Sequence, residues 1–164
     1  MDLHQLFIPE LQYEVVLTEK FINRIPAEKM DWHPHPKSMS IKQLANHLAE
    51  LPGLVTEIME TEKMNMVGYN SPDYETPEDI LRLLRENAAR AEDALRKPDE
   101  EYEKLWKLVY GEKTIMEMPK LNMLRSMALS QLPHHRAQLG VYFRLLEIPV
   151  PSSYGPSADE KSTL

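Results

Sequence analysis

The chain has 164 residues, no cysteine and a formal charge of −7 at neutral pH. That length suits one domain, 1–164, which would bury roughly 70% of the surface its unfolded chain exposes. The missing cysteines exclude disulfides, thiolate metal sites and cysteine nucleophiles, and the acidic balance argues against nucleic acid or an anionic membrane as the main partner.

The first predicted helix covers residues 2–24, where Leu3, Phe7, Leu11, Val15 and Ile22 recur at near-helical spacing. Pro9 removes a backbone donor inside it, so the helix either kinks or begins there, and Pro26 closes it. Asp31-Trp32-His33-Pro34-His35-Pro36 is irregular, because a residue before proline is pushed towards extended geometry. The second helix opens at Ser40, whose S-x-x-Q spacing with Gln43 is a capping box. Leu44, Leu48, Leu51, Val55 and Ile58 form its apolar face, with a bend expected near Pro52-Gly53. Residues 65–73 read as a loop. The third helix starts after Thr76, with Pro77 in its first position and Glu78 and Asp79 complementing the positive helix end. Residues 103–118 read as a short β-hairpin around Tyr110-Gly111-Glu112-Lys113 or as an extended excursion. The fourth helix runs from Lys120 to Glu147, and the proline-rich remainder is an irregular tail with Tyr154 available to pin it. The expected class is all-α, a four-helix bundle with that hairpin before its last helix.

Histidine placement carries the chemistry. His47 stands on the apolar stripe of the second helix and His135 on that of the fourth. Gln131 is four residues before His135, so the two share a face. Two imidazoles and an amide on inward faces are the materials of a bundle metal site. A hydrogen-bonded core role is the competing reading. Glu50 follows His47 by three residues, in reach as a supporting acceptor, and His134 lies about 100° round the helix from His135. His33 and His35 read as structural members of their proline-rich loop. No glycine-rich phosphate loop or serine nucleophile elbow is present. No apolar run reaches the ~18 residues of a membrane span, and the first residues lack signal-peptide character, so a cytoplasmic protein is expected.

Three segments resemble the DinB/YfiT-like superfamily. One is Trp32-His33-Pro34 followed by Ser40 and His47-Leu48-Ala49-Glu50-Leu51-Pro52-Gly53. The second is the run His134 to Leu146, beginning His134-His135-Arg136-Ala137-Gln138. The third is the tail from Ile148 to Glu160, similar to a subgroup common in bacilli. The resemblance implies a four-helix bundle, often a homodimer, that holds nickel or zinc on three histidines. It further implies a hydrolase, or a transferase using a low-molecular-weight thiol, acting on a small molecule. His47 matches the first ligand and His135 the third. The second ligand position is Gln131, a departure that weakens the implied site. Arg136, His134 and Glu50 are candidates for supporting the site or touching substrate. The alternative expectation is a non-catalytic dimeric binding or stress-response bundle with a vestigial metal site.

Overall fold

The computed structural model describes residues 2–161. Helix α1 (His4–Ile22) begins ahead of Pro9 and runs through it. It buries Phe7, Leu11, Val15 and Ile22 along the expected stripe. A short 3₁₀ turn (Ala27–Lys29) follows. The loop beyond it folds on its own histidines: His33 Nδ1 lies 3.0 Å from the carbonyl of His35, and the Lys37 amide donates to His35 Nδ1 at 3.1 Å. Helix α2 (Ile41–Glu60) starts on the capping box, with the Gln43 amide donating to Ser40 Oγ and the Ser40 amide to Gln43 Oε1. It continues through Pro52 as one helix. Gly53 is required by a close approach, since a Cβ there would lie 3.2 Å from the Asn87 side chain, whose Nδ2 donates to the Ala49 carbonyl. Helix α3 (Pro77–Ala94) is capped by Thr76, as its spacing predicts.

The region after α3 holds the expected hairpin and adds a third strand to it. A one-turn helix α4 (Asp99–Glu103) leads into strands β2 (Leu105–Tyr110) and β3 (Lys113–Pro119), an antiparallel hairpin with Gly111 at φ +60° in its two-residue turn. A third strand, β1 (Lys63–Asn65), pairs in parallel with β2, and the loop reading of residues 65–73 takes in only its last residue. Asn65 locks the assembly, its Oδ1 accepting from the amides of Val67 and Gly111. Buried Trp106 on β2 donates its indole N–H to Thr61 Oγ1, tying the sheet to the end of α2. The protein is therefore mostly helical with a small three-stranded sheet.

The last helical run is not uniform. Helix α5 (Lys120–Met123) passes into a six-residue π-helical segment, Leu124–Leu129, and α6 (Gln131–Leu145) follows Ser130. The Ser130 amide reaches back five residues to the Arg125 carbonyl at 3.0 Å. Pro133 gives the physical reason: it has no N–H for the Leu129 carbonyl, so regular α-helix cannot pass through this point with every bond made. Restarting α6 at Gln131 puts Pro133 in a first turn, where no intrahelical donor is needed.

Lys104 and Lys120 both pair with Glu101 of α4, at 2.6 and 2.5 Å. Their hydrogen bonds hold the Glu101 carboxyl down at about 2 against an ordinary 4.5. A depressed carboxylate contributes stability that is complete above the unfolded value and is lost as pH falls towards the folded one. Acid unfolding should therefore steepen between pH 4.5 and 2. Glu101→Gln should flatten that part of a stability-versus-pH curve followed by circular dichroism, and an unchanged curve would show that Glu101 is not responsible.

Candidate functional site

Helices α2 and α6 bring His47 and His135 together. Their rings meet edge to face, centres 4.5 Å apart and planes at 81°. The exposed His134 ring lies against His135, centres 4.8 Å apart. Glu50, one turn along α2, receives His47 Nδ1 on Oε1 at 2.5 Å. An ionised carboxylate only accepts, so His47 donates from Nδ1, and in the neutral imidazole Nε2 is then the lone pair. Tyr69 donates its hydroxyl to the other Glu50 oxygen at 2.5 Å. Burial, then the Glu50 carboxylate, pushes the Tyr69 phenol up to about 12, so it stays a donor.

On α6, Gln138 presents Oε1 to His135 Nδ1 at 3.2 Å and Nε2 to His134 Nε2 at 3.0 Å. With the amide placed so, His135 also carries its proton on Nδ1. Burial, chiefly, holds the His135 imidazole below its ordinary value of 6.5, with the neighbouring His47 and His134 acting the same way against the Gln138 bond. His135 is thus neutral at physiological pH, with an available lone pair.

The loop carrying Tyr69 is tied to α2 along its length. Asn46 clasps Tyr74 both ways, donating Nδ2 to its carbonyl and accepting from its amide, each at 2.9 Å. Lys42 pairs with Asp73 and Glu75. Tyr69 and Gln138 were not singled out from sequence: Tyr69 comes from a loop without periodicity. For Gln138 the i+3 and i+4 spacing from His135 and His134 was a usable signal.

Gln131 and Arg136 make their bonds elsewhere. Gln131 donates Nε2 to the Ser126 carbonyl at 2.9 Å, folding back over the π-helical segment. Arg136 is buried and turned towards α1, pairing with Glu14 at 2.7 Å. Tyr154 from the tail accepts from Arg136 at 3.0 Å and donates to Glu14, pinning the tail.

A divalent ion is what the family resemblance implies here, and the donor set tests it. Both imidazoles have Nδ1 engaged by an oxygen and Nε2 free, the arrangement metal-ligating histidines adopt. Two imidazoles sharing an ion at metal–nitrogen distances of about 2.0–2.1 Å have ring centres on the order of 5 Å apart, compatible with the observed pair. Among the described residues, no three or more His, Cys, Asp or Glu side chains come together as a cation site. The residues fit a two-imidazole site and do not fit a three-histidine one.

Comparison with known proteins bears on the family and the fold. The DinB superfamily model matches residues 11–119, two-thirds of the chain, taking in His47 and Glu50 and ending ahead of His135. The chain belongs to the DinB superfamily. Three crystal structures share its fold. A candidate DinB-family member from Exiguobacterium sibiricum is 22% identical with a TM-score of 0.70, over 93% of this chain and 97% of that one. A DinB-like protein from Bacillus cereus is 18% identical with a TM-score of 0.66, over 87% and 92%. A DinB-like protein from Bacillus subtilis is 14% identical with a TM-score of 0.65, over 94% and 98%. No curated protein matches the chain significantly. No helix among the described residues is long and apolar enough to cross a membrane.

Proposed function

We propose that this chain is a DinB-type four-helix bundle that binds one divalent ion, zinc or nickel, through Nε2 of His47 and His135, and acts on a small molecule there. The observation that carries the reading is the matched pair of free Nε2 atoms, each behind an Nδ1 held by an oxygen. Bound at this pair, an ion of this kind supplies Lewis acidity and an acidified water or thiol. The chain's own residues supply orientation. Glu50, steadied by Tyr69, fixes the His47 ring, and Gln138 fixes His135. Exposed His134 stands beside the pair, where it would exchange a proton with a substrate. The reaction class this fits is hydrolysis or transfer of a low-molecular-weight thiol, in a homodimer. A second reading, a non-catalytic binding or stress-response bundle with a vestigial site, is favoured by the engagement of Gln131 with Ser126.

Calorimetric titration of zinc into the untagged protein tests the assignment. His47→Ala and His135→Ala should each abolish binding, whereas His134→Ala should retain most of it. Equal losses in all three variants, or no loss in the first two, would remove the pair as ligands.

A further inference from the structure

A second cleft lies where the sheet meets the far end of α2. From His47 to Glu60 is thirteen helical positions, about 20 Å at 1.5 Å per residue, so this cleft is remote from the imidazole pair. Its volume is about 760 Å³, within the range of small-molecule sites. Five lysines line it in a chain of net charge −7: Lys63, Lys97, Lys104, Lys107 and Lys120. Three carboxylates line it too. Glu101 is already committed to Lys104 and Lys120. Glu60 and Glu62 are exposed, with Glu62 acting on Lys104 through space.

We propose that this cleft binds a small anion carrying a phosphate group. Two features go beyond a solvated charged face. Lys63 and Lys107 are direct register partners on β1 and β2, so two like charges project side by side. Such a pairing is unfavourable unless an anion lies between or beside the ammonium groups. Lys107 reaches Glu117 at 3.1 Å, while no ion pair forms at Lys63 among the described residues. The second feature is Lys120, only 2% exposed at the floor of the cleft. Lys120 and Lys97 both donate to the Met59 carbonyl at 2.9 Å, offsetting the negative end of α2. Each ammonium has three donors. The acceptors on these five leave most of their protons unassigned. Lysines gathered as point charges can hold a phosphate oxyanion, as phosphate-binding lysines do.

Inorganic pyrophosphate is the probe, titrated calorimetrically into the full chain in metal-free, low-salt buffer. Saturable binding with a dissociation constant near or below about 1 mM is expected. Lys63→Gln combined with Lys107→Gln should weaken it by roughly tenfold or more. Lys104→Gln, a change at an exposed position, should weaken it several-fold, and Lys37→Gln, far along the chain in an exposed loop, should leave it unchanged. Succinate should bind more weakly than pyrophosphate. Absence of saturation, an equal loss in Lys37→Gln, wild-type affinity in both cleft variants, or tighter binding of succinate would each overturn the proposal.

Discussion

Glu14→Ala should destabilise the protein by about 3–5 kcal/mol, because it strands the Arg136 charge in the interior. Both partners are under a tenth exposed, and Arg136 would keep only neutral contacts: Thr18 Oγ1, Tyr154 and the residue-14 backbone carbonyl. The loss should appear as a fall in Tm of roughly 10 °C for a chain of this size. It should also loosen Tyr154, which donates to Glu14 and whose ring lies beneath the Arg136 guanidinium, 5.4 Å from ring centre to guanidinium carbon, while Arg144 and Asp159 still hold the tail. Replacing both charges together, with Glu14→Leu and Arg136→Met, should cost markedly less than either single change, because no charge is left buried alone. Urea denaturation of Glu14→Leu, Arg136→Met and the double variant decides this. A single-variant cost below about 1 kcal/mol would mean water reaches Arg136 and the pair is not desolvated.

Gln131→His should tighten zinc binding by about tenfold or more, on the scale of ~1.4 kcal/mol per tenfold. Residues 131 and 135 both belong to α6 and stand one turn apart, so a new imidazole at 131 shares the face of His135. The change removes only the amide bond to the Ser126 carbonyl, an exposed contact of small worth. A histidine donor then replaces a weaker amide or water at the ion. Titration calorimetry of both proteins measures the ratio. Equal or weaker binding in the variant would place residue 131 outside the site and favour the vestigial reading.

Much of the helical frame is legible in the sequence because each signal is local. Ser40 with Gln43, Thr76 before Pro77 and the leucine stripe from Leu44 to Ile58 each depend on residues within a turn or two of one another. The three-residue strand β1 was not legible: Lys63-Met64-Asn65 has too few positions to show alternation, and its pairing depends on β2, some forty residues further on. Pro133 announces a missing donor, but whether the helix kinks, ends or widens into a π turn depends on what packs around it. At the site, His47, His135 and Glu50 could be placed by spacing on their own helices. Tyr69 could not, since a loop residue meets Glu50 only once Asn46 and Lys42 have drawn the loop along α2. Arg136 was grouped with the histidines by adjacency in sequence. One residue of helix is about 100°, and that turn directs it to Glu14 on α1.

One divalent ion held between the Nε2 atoms of His47 and His135 is a quantity that can be counted. Its most direct measurement is metal stoichiometry by elemental analysis, on untagged protein equilibrated with zinc or nickel and then desalted. Close to one equivalent per chain is expected for the wild type, lost in His47→Ala. Less than about a tenth of an equivalent in the wild type, under conditions where free imidazole is deprotonated, would contradict it.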